Sequence, residues 1–248
     1  AAGRLLKDEA GRRLHYDACG RLVRVEAPGG QAVAGYGYDA GNRLAWQRVD
    51  ATQQLHRLYY RGSRLVNEWI SPQGQAQRAE TDTLVRLTGL SQTTQQGGKE
   101  DTLLLGTDEK GSVLTGSDEH TRDYRYSPYG YRSRTEHGSE KQAESVRGWN
   151  GERADPVTGV THLGNGYRAY NPVLMRFHCP DSLSPFGAGG INPYAYCEGD
   201  PVNHSDPTGH LSWRGWLSVG LGIVSVVVGV ATLGLAAAGW ISLGGGAA

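Results

Sequence analysis

Cysteine is scarce in this chain: Cys19, Cys179 and Cys197 are all that 248 residues contain. They are too few and too far apart for a disulfide framework, and no CxxC or His pair offers a zinc site. Buried thiols in a reduced compartment are the expected state. Phenylalanine is nearly missing, at 2 residues against 13 Tyr and 6 Trp, and Met175 is the sole methionine. Neither sign of charge dominates, since 25 basic residues balance 25 acidic ones. That removes the overall field by which proteins gather nucleic acid or anionic surfaces, so no nucleic-acid partner is expected. No initiating Met or signal peptide opens the chain, which therefore reads as a piece of something longer. No metal or cofactor is implied.

Glycine, by contrast, is abundant: 37 of 248 residues, against a usual share of roughly 7%. Together with the Tyr and Trp content it points to many strands and tight turns rather than packed helices. A repeat is present. Tyr16-Asp17-Ala18-Cys19-Gly20-Arg21-Leu22 returns as Tyr38-Asp39-Ala40-Gly41-Asn42-Arg43-Leu44, a shift of 22 residues. Gly3-Arg4-Leu5-Leu6 and Tyr60-Arg61-Gly62-Ser63-Arg64-Leu65-Val66 are worn copies. Each unit is an aromatic strand end, a turn and a new strand opening on Arg-Leu. The turn needs a residue tolerant of positive φ, which Gly20 supplies and Asn42 approximates. Strands such as Leu22–Glu26 alternate apolar with polar, and units of this kind bury a face only by stacking.

The YD-x-x-G-x-L pattern resembles the YD-repeat family of bacterial Rhs proteins, C components of insecticidal toxin complexes, and animal teneurins. The resemblance implies a mainly β fold in which a long sheet spirals into part of a hollow shell. It divides the chain into YD repeats at 1–70, a polar loop or insertion at 71–100, an Rhs-associated core at 101–210, and the start of a hypervariable toxin region at 211–248. Within the core, the 103–113 and 124–130 stretches read as strands and turns, and 149–159 as a turn-rich hairpin.

The stretch from Gly166-Tyr167-Arg168-Ala169-Tyr170 through Pro180-Asp181 and Asn192-Pro193-Tyr194 to Asp206-Pro207-Thr208-Gly209 is similar to the Rhs-associated core. In that family the segment plugs the shell and acts as an aspartic autoprotease that frees the C-terminal toxin. The resemblance maps its functional residues onto Arg168, Asp181 and Asp206, with cleavage between His210 and Leu211. Two carboxylates held close share a proton, so one can deprotonate a water while the other polarises the scissile carbonyl. An Arg beside them would orient the pair through its planar fork. The plain structural alternative is that Asp181, Asp200 and Asp206 are turn residues beside breakers. Two departures from the family stand out: Ser182 occupies the Pro position of the first motif, and His210 stands where an apolar residue is usual. A solvated loop His is the simpler expectation for His210. A Cys197–His204 thiol–imidazole pair is conceivable but lacks a third orienting group.

Residues 216–243 carry no charge, with Trp213, Trp216 and Trp240 near the ends of the run. That length suffices to cross a bilayer, and Gly222, Ser225 and Gly229 give small-residue spacing for helix contact. An apolar, helical, membrane-competent segment is the expectation, with apolar cargo packed inside the shell as the alternative. The combined reading is a toxin-encapsulating shell segment that cuts itself near His210. It is expected to be made in the bacterial cytoplasm and then exported or delivered, with a partner shell protein or secretion apparatus. The rival is a cell-surface adhesion protein using YD repeats as a scaffold, anchored in the membrane and never cleaved.

Overall fold

The computed structural model describes residues 3–74, 81–133, 144–186 and 189–210. Eleven strands form one antiparallel sheet in strict sequence order. They are β1 (Arg13–Tyr16), β2 (Leu22–Glu26), β3 (Ala32–Tyr38), β4 (Leu44–Val49), β5 (Gln54–Arg61), β6 (Arg64–Pro72), β7 (Thr83–Leu87), β8 (Ser91–Gln96), β9 (Lys99–Thr107), β10 (Val113–Ser117) and β11 (Thr121–Asp123). A two-stranded hairpin follows, β12 (Arg125–Tyr126) and β13 (Arg132–Ser133), and then a small antiparallel sheet of β14 (Thr161–Leu163), β15 (Arg168–Asn171) and β16 (Arg176–Phe177). Every neighbour in the large sheet is also a neighbour in sequence, so each pairing closes a short loop at low entropic cost.

The repeat is a set of interlocking contacts. Asp17 and Asp39 sit at the turn entrances. Asp39 Oδ1 accepts from the backbone N–H groups of Gly41 (2.8 Å) and Arg43 (2.9 Å), while Oδ2 takes Arg43 Nε at 2.8 Å. Asp17 treats Arg21 the same way, and the earlier Asp8 repeats it with Arg12. The turns between hold Gly20 at φ +87° and Asn42 at φ +63°, a conformation that these two residue types tolerate better than others. The Arg so fixed lies over the Tyr of the next unit: Arg21 over Tyr38 at 4.5 Å and Arg43 over Tyr60 at 5.6 Å. That Tyr in turn donates to the carbonyl of the Leu following the Arg, Tyr38 to Leu22 (2.7 Å) and Tyr60 to Leu44 (3.1 Å). Asp therefore closes its own turn, while Arg, Tyr and Leu tie each unit to the next.

One face of β1–β5 buries Leu14, Leu22, Val25, Ala34, Tyr36, Leu44 and Leu58 against Val160 and Ala169. Segment 153–170 thus lies across the sheet. The seam also holds charge. Arg153 donates to Glu68 (2.7 Å) and to Gln47 Oε1 (2.8 Å). Gln47 Nε2 donates to Asp155 (3.0 Å), and His56 contacts Glu68 at 2.7 Å. Burial alone would raise Glu68, but the charge of Arg153 and hydrogen bonds from His56 and Arg153 outweigh it and bring the carboxyl down to about 2.

Residues 71–100, expected as a polar loop or insertion, hold β7, β8 and the opening of β9 in full register. Gly97-Gly98 is the hairpin turn between β8 and β9, both at positive φ. A Thr- and Gln-rich strand lacks apolar alternation, so its pairing is set by its neighbours rather than by its own hydrophobic pattern. Beyond β16 the chain carries no further strand among the described residues; Asn-Pro, Asp-Pro and Gly-Gly steps keep it in turns. The apolar run expected to be helical lies outside the described residues, as does Leu211. Among the described residues no helix is long and apolar enough to cross a membrane.

Candidate active site

The small sheet carries the first component. β15 presents Arg168, which is buried, with its guanidinium carbon 3.6 Å from the Phe177 ring centroid. All three guanidinium nitrogens are used. Nη2 donates to Asp181 Oδ2 at 2.9 Å, Nη1 to the Pro193 carbonyl at 2.9 Å and Nε to the Gly209 carbonyl at 2.5 Å. One side chain therefore ties together the loops at 181, 193 and 209, which are separated in sequence by up to 28 residues.

Asp181 is 4% exposed. Its Oδ1 accepts from Leu183 N (2.9 Å) and from His210 Nδ1 (2.8 Å). The loop carrying it closes tightly at Gly189, where an added Cβ would stand 2.8 Å from Asp181 Cγ and 2.6 Å from Ser184 Oγ. Only glycine leaves room for that approach. Asp206 is 3% exposed and its Oδ1 accepts from His210 N at 3.1 Å and from Thr208 Oγ1 at 3.2 Å. Burial pushes Asp206 above the usual carboxylate range, against the opposing charge of Arg168 and the hydrogen bonds from Thr208, His210 and Gly209. Asp206 is thus harder to ionise than a free carboxyl, while Asp181 lies in a buried ion pair with Arg168.

Both carboxyl groups converge on one residue, His210, Asp181 through its ring and Asp206 through its backbone N–H. The His210 ring also lies 4.1 Å from that of Tyr167. A solvated loop histidine was expected there, and the structure instead places it between the two acids. The signal available in sequence was its replacement of an apolar residue beside the expected scissile bond. Asp200 is set apart: its side chain is 42% exposed and its carboxylate accepts from Asn203. All three aspartates do serve as turn residues, and burial with a shared partner distinguishes Asp181 and Asp206. The Cys197 thiol is pushed up to about 12, first by burial, which opposes a nucleophilic role. Among the described residues, no group of three or more His, Cys, Asp or Glu side chains could hold a metal ion.

Sequence reasoning missed the supports around the pair. Tyr196, fully buried in an aromatic cluster with Tyr170 and Phe177, receives Asp206 N–H on its hydroxyl at 3.3 Å and Asn150 Nδ2 at 3.0 Å. Glu152, beside Asp206, is pushed up to about 7 by burial and by the Asp206 charge.

A family model described as the teneurin YD-shell matches residues 1–190. The chain belongs to this YD-shell family. The match takes in the repeats, Arg168 and Asp181, whereas Asp206 and His210 fall beyond it. Solved structures share the fold of this YD shell. "Crystal Structure of TcdB2-TccC3-TEV" aligns with TM-score 0.62 at 20% identity over 84% of this chain, and "Crystal Structure of TcdB2-TccC3" with 0.62 at 21% over 84%. "Crystal Structure of TcdB2-TccC3-Cdc42" aligns with TM-score 0.60 at 19% identity over 84%. The chain spans about a tenth of the length of those proteins, 10%, 11% and 10% respectively. No curated protein matches the chain.

Proposed function

We propose that this chain is a wall-and-plug segment of a toxin-encapsulating shell, and that its buried acid pair cuts the chain's own backbone after His210. The observation that carries the reading is the convergence of Asp181 and Asp206 on His210, with Arg168 bracing both the Asp181 carboxylate and the Gly209 carbonyl. The YD-shell family supports the enclosing wall. The fold shared with TcdB2-TccC3 structures supports assembly with a partner shell protein. Export and delivery of an enclosed C-terminal toxin follow from the same reading.

The chemistry is hydrolysis. Asp181, as the carboxylate, takes a proton from a water whose oxygen attacks the His210 carbonyl carbon. Asp206, as the acid, donates a hydrogen bond to the carbonyl oxygen as charge builds there. Collapse of the tetrahedral intermediate breaks the C–N bond, the departing Leu211 nitrogen takes the proton, and a carboxylate remains on His210. Arg168 holds the base, and the His210 ring, seated against Asp181 and Tyr167, fixes the residue before the bond.

The test is a panel of variants incubated at neutral pH and read on denaturing gels. Asp181→Asn and Asp206→Asn abolish cutting, since an amide serves neither as base nor as acid. Arg168→Ala slows or stops it. Asp200→Asn, in a turn of the same type but exposed, leaves it intact. Cutting that persists in both Asp181→Asn and Asp206→Asn refutes the assignment.

A further inference from the structure

Lys110 stands at the apex of the β9–β10 turn, in Asp108-Glu109-Lys110-Gly111-Ser112. The turn is fixed as in the YD units: Asp108 Oδ1 accepts from the N–H groups of Lys110 (2.9 Å) and Ser112 (2.8 Å). Ser112 Oγ then receives Asn150 N at 3.0 Å, which locks the hairpin onto the core segment. From this platform Lys110 reaches more than 90 residues along the chain. Its ammonium donates to three backbone carbonyls, Pro201 (2.9 Å), Val202 (2.5 Å) and His204 (2.9 Å). An ammonium has three N–H donors and no acceptor, so all three are spent on one loop. Among the described residues no carboxylate lies within ion-pair distance of Lys110; the Asp200 carboxylate feels its charge from farther off, and the direct partners are the three carbonyls.

Asp206 follows His204 by two residues. The 200–206 loop contains no strand, and its own hydrogen bonds are few: His204 N to the Asp200 carbonyl and Asn203 to the Asp200 carboxylate. Outside ties come from Lys110, from Tyr129 Oη to the Gly199 carbonyl at 3.2 Å, and from Tyr196 at Asp206 itself. Of these, only Lys110 gathers three backbone carbonyls of the loop onto one point, and it does so from the β9–β10 turn of the sheet.

We propose that Lys110 is a positioning residue for self-cleavage, holding the Asp206 loop against the β9–β10 hairpin so that cutting waits until that part of the wall has formed. This rests on the self-processing reading above. Lys110 touches none of the reacting atoms; it acts through the backbone that leads to Asp206. A tripod of donors is what the three carbonyls demand, and the planar fork of an arginine cannot supply it.

The test uses the full 248-residue chain at neutral pH and follows the rate of cutting by intact mass. Lys110→Met keeps most of the unbranched stem and removes the donors, and its rate is expected to fall on the order of 100-fold through misplacement of the acid. Lys110→Ala is expected to be equally slow, and propylammonium, which replaces the deleted atoms, restores cutting in a saturable manner. Tetramethylammonium, of like charge and without N–H donors, does not restore it. Wild-type rates in both variants overturn the inference, as does a slow Lys110→Ala that propylammonium leaves slow. A wild-type chain that never cuts refutes the self-processing reading instead, so the two failures are told apart.

Discussion

Glu152, half-buried, and Glu68, fully buried, both lie near the seam between sheet and core, yet their surroundings drive them in opposite directions. Glu152 is held up to about 7 in the folded chain against an ordinary value of 4.5. The folded state therefore binds the proton more tightly than the unfolded one, and stability falls as pH rises from 4.5 through 7. Above that window the cost amounts to about 3 kcal/mol at most. Glu152→Gln is expected to raise the melting temperature at pH 8 and leave it unchanged at pH 4, as read by thermal unfolding. Glu68 is held down to about 2, so its contribution is complete above 4.5 and is lost as pH falls through 2. Glu68→Gln strands the buried Arg153 guanidinium and costs about 3–5 kcal/mol at pH 7 in urea unfolding. That difference shrinks as the pH approaches 2; a penalty that stays constant with pH would contradict the ion-pair account.

At the scale of the element, the YD unit is a chain of neighbours: Asp fixes Arg, Arg covers the next Tyr, and Tyr bonds back to Leu. Tyr38→Phe removes only the hydroxyl that donates to the Leu22 carbonyl, and it is expected to cost about 1 kcal/mol in chemical unfolding. A neutral result would mean that the hydroxyl bond is decorative. The unit, its turn and its strands were legible in the sequence because the 22-residue shift keeps all four residue types in phase, whereas the contacts that join the units emerge only from the fold. β8 was not legible. Its inward residue is Gln92, whose amide donates to the Glu144 carbonyl (3.0 Å) and accepts from Val146 N (2.7 Å). A strand that buries a polar side chain by hydrogen bonding leaves no apolar alternation to read. The same limit applies to the candidate site. Arg168, Asp181 and Asp206 could be named from the order of motifs, but that they meet at His210 depends on loops brought together by Arg168. Lys110 and Tyr196 carried no local mark, since their roles exist only across 91–94 and 10 residues of chain.

For the molecule as a whole, the sheet is an open meander with β1 and β11 at its edges, and the core segment lies across one face. Edge strands of this kind leave backbone N–H and C=O groups free to pair with a further strand. The core contributes the other half of the design, carrying the acid pair against the wall rather than on it. The claim that unites the two halves is that the chain cuts itself once they are assembled. The direct measurement is the intact mass of the full chain after incubation at neutral pH. Cleavage by the acid pair gives an N-terminal fragment that ends at His210 and a C-terminal fragment that begins at Leu211. An uncut mass, or a break at the acid-labile Asp155–Pro156, Asp200–Pro201 or Asp206–Pro207 bonds, contradicts it and leaves a scaffold alone.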